Sequence, residues 1–140
     1  MEKDTQIEIF NMFHDGTLIG ILNKSGNIEL KIEIPYLAEM INEKFNYFYC
    51  ELVNCKGIML ETWSDEKEDT SDINTIIEYE LEILDAQASK EGILVGCRSE
   101  KIIGGNLHIN SQNIKIYDES KKEISLDDLT RTFHWYWNKL

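Results

Sequence analysis

The sequence predicts an α+β fold, a mainly antiparallel curved β-sheet of about nine short strands covered by a C-terminal amphipathic helix. Three observations carry this. Short β-forming runs alternate apolar and polar residues at period two. Gly, Asn, Asp and Ser clusters separate them at spacings too short for the crossover helices of a parallel sheet. From Ser125 onward the apolar period changes to that of a helix.

The elements follow in order. Ile7–Phe13 alternates like a half-buried strand, and His14-Asp15-Gly16 ends it, Asp-Gly being a strong turn signal. Thr17–Asn23 forms a second strand. After the turn Lys24-Ser25-Gly26-Asn27, Ile28, Leu30, Ile32 and Ile34 form a third, with Glu29, Lys31 and Glu33 on a wet face. Pro35 stops that strand and suits the first turn of a short helix. Phe45–Asn54 carries apolar groups on both faces, as a strand near the middle of a sheet would. Cys55-Lys56-Gly57 is expected to fold it back on Ile58–Trp63 as a hairpin. Ser64–Asp72 is rich in carboxylates and lacks an aliphatic anchor, so it reads as a solvated loop. Ile73–Ala86 fits either period. Ile77, Tyr79, Leu81 and Ile83 alternating with Glu78, Glu80 and Glu82 favour a strand. Ser89–Gly92 is a turn, Ile93–Cys97 a strand, Gly104-Gly105 a break, and Leu107–Ile109 and Ile114–Tyr117 the last strands. Ser125 with Asp128 has the form of a helix-capping box. Behind it Leu126, Leu129, Phe133, Tyr136, Trp137 and Leu140 make one apolar stripe that must dock to be stable.

A chain of 140 residues is about one domain, assigned here to 1–140, and 42% hydrophobic residues are enough for a core. No apolar run is long enough to span a membrane, and Met1-Glu2-Lys3-Asp4 lacks the form of a signal peptide, so a cytoplasmic location is expected. Cys50, Cys55 and Cys97 show no C-x-x-C pairing and read as free thiols. The net charge of −12 disfavours nucleic acid as a partner. The acid is uneven, with 14 acidic and 6 basic side chains in residues 1–70 against 12 and 8 in residues 71–140, a balance of −8 against −4.

Chemistry-bearing motifs are sparse. His14-Asp15 could move a proton, but a tight turn explains the dipeptide equally well. His108 alternates with Leu107 and Ile109 and is expected on the outer face. Glu78, Glu80 and Glu82 could bind a cation from one strand face, although such rows are usually just solvated. No nucleophile elbow or phosphate loop is present, so no catalytic residue, metal or cofactor is assigned. Two features suit a protein partner. Trp135 projects away from the helix stripe, and Trp63 adjoins the acidic loop holding Asp65, Glu66, Glu68 and Asp69; an aromatic beside charge of one sign can steer and then hold a basic protein.

Phe13-His14-Asp15-Gly16, Leu18 and Ile21 in the next strand, an aromatic hairpin ending in Trp63 and a closing helix with Leu129, Tyr136 and Trp137 resemble small β-rich bacterial proteins, among them immunity proteins of polymorphic toxin systems. The resemblance implies a cytoplasmic binder that neutralises a toxin, the product of a neighbouring gene, by occluding its active site. It carries over no functional residues. The expected function is thus a non-enzymatic interaction protein that binds a basic toxin or other basic protein partner. Its alternative is a small-ligand carrier with an apolar pocket lined by Phe48, Leu52, Ile58 and Leu60. Homo-oligomerisation is left open.

Overall fold

Asn27 to Glu33 shows how the local signals become structure. Ser25 and Gly26 take positive φ (32° and 89°), and the chain returns on itself with Lys24 opposite Asn27. That hairpin, β1 (Thr17–Lys24) and β2 (Asn27–Glu33), belongs to a sheet with β3 (Tyr47–Val53), β4 (Ile58–Thr62), β5 (Asp69–Thr70), β6 (Glu82–Ala88), β7 (Ile93–Arg98), β8 (Gly104–Ile109), β9 (Asn113–Tyr117) and β10 (Glu123–Ile124). The helices are α1 (Lys3–Met12), α2 (Pro35–Ala38), α3 (Ile73–Glu78) and α4 (Leu126–Asn138). This computed structural model describes residues 1–64 and 68–138.

The strand order is β10-β9-β3-β2-β1-β6-β7-β8-β4-β5, with every pairing antiparallel, and the sheet is curved and unclosed. Its halves meet at a narrow seam. β1 and β6 share one register pair, Thr17 with Glu82, beside bonds from Asp15 N to Ile83 O and from Ile83 N to Gly16 O, both 2.8 Å. Both seam strands are irregular next to it, between Leu18 and Gly20 and between Ile83 and Asp85. Bulges bend and twist a strand, so curvature concentrates there.

Ile7–Phe13 is a helix and not the expected strand. Gln6, Ile9, Phe10 and Phe13 are buried at spacings of three and four, so α1 presents one face to β6 and β7. The Phe13 ring packs on Phe48 at 5.5 Å between centroids, and Gln6 Nε2 donates to the carbonyls of Ser111 (3.0 Å) and Met1 (3.2 Å). Ile7 and Ile9 mimic a period of two only because Phe10 and Met12, which interrupt it, are apolar as well. The expected hairpin from Phe45–Asn54 into Ile58–Trp63 is also overturned. β3 lies between β2 and β9, whereas β4 lies between β8 and β5, so the connection crosses from one half of the sheet to the other. Asn54 at φ 55° and a bond from Cys55 N to Gly26 O (2.9 Å) direct that crossing.

Ile73–Ala86 divides between the two periods. Asp72 caps α3, accepting from Asn74 N (3.2 Å) and from Thr75 Oγ1 (2.8 Å), Glu80 takes φ 49°, and β6 follows. Glu78, Glu80 and Glu82 therefore do not share a strand face. Gly104-Gly105 is no break but the start of β8, and β5 and β10 are two-residue strands absent from the sequence reading.

α4 is where it was expected. Ser125 Oγ accepts from Asp128 N (3.1 Å), while the Asp128 carboxylate pairs with Arg131 instead of closing the box. Leu129 is fully buried and Leu126, Phe133 and Tyr136 are half-buried, whereas Trp137, expected in the same stripe, stays 38% exposed at the helix edge where it stacks on His14. The helix packs on α1 and α2, and of the two long helices it is α1 that lies against the strands, on β6 and β7. Leu140 lies outside the described residues. One apolar cluster from Ile9 to Leu129 unites both sheet halves, α1 and α4. No helix among the described residues is long and apolar enough to cross a membrane.

Candidate functional site

The two halves of the outer sheet face differ in charge, and that contrast locates the site. On β1, β2, β3 and β9 the most buried outward carboxylate meets lysines, while Glu33 and Glu51 make no ion pair with Lys or Arg among the described residues. Glu29, 8% exposed, accepts from Lys24 Nζ (2.7 Å) and Lys121 Nζ (3.2 Å). Burial raises the pKa of Glu29, but its bonds to both lysines outweigh this and hold it below the ordinary carboxylate value. Lys31 lies 4.0 Å from the centre of the Tyr47 ring and Lys121 3.8 Å from that of Tyr49. The second face of β3 is thus a network of half-exposed tyrosines and cations rather than a second core.

The other half remains acidic. Period two turns Glu61, Glu82 and Arg98 outward, opposite buried Leu60, Ile83 and Cys97, and the irregularity after Ile83 breaks the alternation so that Asp85 is exposed as well, opposite Gly96. Arg98 is occupied by Glu82 through two bonds of 2.9 Å, and Lys101 stands 3.9 Å from Glu80. Glu61, Glu68, Asp69, Asp85 and Glu100 make no ion pair with Lys or Arg among the described residues. A cleft of about 700 Å³ beside the seam is lined by Glu33, Glu80, Glu82, Glu100 and Arg98.

Trp63 lies on this acidic half. Its backbone N–H donates to Gly104 O (2.9 Å), and its ring occupies space that a side chain at Gly104 would need: a Cβ there would sit 2.7 Å from two ring carbons. A Cβ on Gly96 would lie 3.8 Å from the far edge of the same ring and 2.8 Å from Asp85 Oδ1. Two glycines on neighbouring strands thus form a floor for an indole that stays 43% exposed. Beside Gly104, Ile103 is 75% exposed. A large ring seated on backbone, with the Asp85 carboxylate beside its floor, is preorganised to receive an apolar and cationic surface.

Glu68 and Asp69 of the expected acidic site border Trp63, with Glu68 O accepting from Thr62 N (3.2 Å) and Asp69 opposite Glu61. Asp65 and Glu66 lie outside the described residues. Trp135, 57% exposed, sits on α4, a separate element. Ile103, Asp85 and the glycine floor were not foreseen. Two glycines opening a strand-like run were the available signal, since glycine inside a strand marks close approach.

His14-Asp15 is engaged in holding α4. His14 Nδ1 is 2.9 Å from Asn11 O and therefore donates, Nε2 is 3.8 Å from Asp15 Oδ2, and the ring stacks on Trp137 (5.3 Å, 26°). Tyr36 donates its hydroxyl to His14 O (2.9 Å); burial, aided by the Asp15 charge, pushes the Tyr36 pKa up. His108 is outward and half-buried, with Nε2 3.6 Å from Glu61 Oε1. Burial pushes the Cys50 thiol up to about 12, and burial with the Asp85 charge does the same for Cys97. Phe48, Leu52, Ile58 and Leu60, the expected pocket lining, are core side chains no more than 3% exposed. No group of three metal-ligating side chains occurs among the described residues. Compared with protein-family models, curated proteins and solved structures, the chain matches none of them.

Proposed function

We propose that the protein is a non-enzymatic binding protein that takes a basic protein partner on the Trp63 face, its most specific form being an immunity-type inhibitor that occludes a toxin in the cytoplasm. The observation that carries this reading is the indole held on Gly96 and Gly104 with Asp85 beside that floor, on a half-sheet where Glu61, Glu68, Asp69, Asp85 and Glu100 make no ion pair with Lys or Arg among the described residues. A fixed aromatic loses little side-chain entropy on binding, and the surrounding charge accelerates encounter with a cation-rich surface. The net charge of −12 supports the same partner class. The test is calorimetric titration with the separately expressed product of the adjacent gene. Trp63→Ala is expected to weaken binding roughly thirtyfold, the effect of losing an anchor of about 2 kcal/mol. Reversing Asp65, Glu66, Glu68 and Asp69 to lysine should mainly slow association. Unchanged affinity in both variants would remove this face from the account.

A further inference from the structure

We propose that the groove between α1 and α4 is a second docking site, built for a basic amphipathic helix of a protein partner and independent of the Trp63 face. The groove encloses about 410 Å³ and is lined by Asp4, Ile7, Glu8, Asn11 and Met12 from α1 and by Phe133 and His134 from α4. Its chemistry is divided. Ile7, Met12 and Phe133 give an apolar floor, while Asp4 and Glu8, both exposed and one helical turn apart, form a rim of one sign. Among the described residues no lysine or arginine lines it, and the cation nearest in sequence to Asp4, Lys3, is held by the carbonyls of Ser89 (2.8 Å) and Lys90 (3.3 Å).

Charge complementarity selects the occupant. A helix laid in this groove would set an apolar side chain on the floor, and lysines or arginines four positions apart on its flank would match the spacing of Asp4 and Glu8. A helix with an acidic flank would meet repulsion from the rim and from the chain's net charge of −12.

The methionines make the test specific, because each lines a different groove: Met12 this one, Met59 that beside β4 and β8, Met40 that beside α2 and β10, and Met1 that beside β9. The full chain, labelled with carbon-13 at its methionine methyls, is titrated with a lysine–leucine amphipathic peptide and with its glutamate–leucine counterpart. The Met12 methyl is expected to shift saturably with the lysine peptide alone. Asp4→Lys combined with Glu8→Lys, at exposed positions that leave the fold intact, should weaken that binding about tenfold, and Trp63→Ala should leave it unchanged. An unmoved Met12, shifts spread equally over all four methyls, equal response to the two peptides, or loss of the response in Trp63→Ala would each overturn the proposal.

Discussion

Gly104→Ala probes the glycine floor with a single methyl group. The added Cβ would lie 2.7 Å from two ring carbons of Trp63 and 2.5 Å from Cys97 O, and Gly104 holds φ 152°, a conformation that L-residues rarely adopt. The backbone strain alone costs roughly 1–3 kcal/mol. The ring can escape the clash only by lifting into solvent, whereas Cys97 O is fixed in the β7–β8 ladder. A fall in melting temperature of about 4–8 °C is therefore expected, at a few degrees per kcal/mol for a chain of this size. In a background where Trp135 and Trp137 are phenylalanine, Trp63 emission should move to longer wavelength and become more accessible to iodide, because the indole leaves its seat. Should Gly104→Ala keep wild-type stability, emission and quenching, Trp63 does not rest on Gly104 and the preorganised anchor is lost from the account.

Three further outcomes follow from the same packing. Because the pKa of Glu29 is lowered in the folded protein, its contribution is present above its unfolded value, near 4.5, and is lost as pH falls through the folded value. Urea denaturation from neutral to acid pH should show that loss, and Glu29→Gln should remove about 1–2 kcal/mol at pH 7 while flattening the acid limb. With their thiols pushed up to about 12, Cys50 and Cys97 should resist iodoacetamide at pH 8 until the chain opens; rapid labelling of the native protein would contradict their burial. Leu129→Ala should cost about 2–4 kcal/mol by chemical denaturation, since Leu129 is the fully buried residue of α4, and a cost near zero would mean that the helix is not docked.

The sequence shows the parts of this fold that depend on neighbours a few residues away. The β1–β2 turn, the proline-started α2, the Ser125 cap and the alternation within most strands all rest on local sterics and hydrogen bonding. Global arrangement is less legible. Nothing in Cys55-Lys56-Gly57 distinguishes a hairpin from a crossing, because the choice is made by β8 and β9, which come to lie beside β4 and β3. α1 departs from the strand expected at Ile7–Phe13 because both candidate periods there are filled with apolar residues, and tertiary burial of Gln6, Ile9, Phe10 and Phe13 decides between them. The site divides in the same way. Trp63 and its acidic neighbours are visible in the sequence, but the floor beneath the indole needs residues some thirty to forty positions distant, brought close by sheet pairing.

Hydrogen exchange of the protein alone and with the adjacent gene product tests the binding claim most directly. Protection on binding is predicted in residues 59–64 and 98–106, with Trp63→Ala abolishing it at concentrations that saturate the wild type. A complex that forms while exchange in those two segments stays unchanged would contradict the claim.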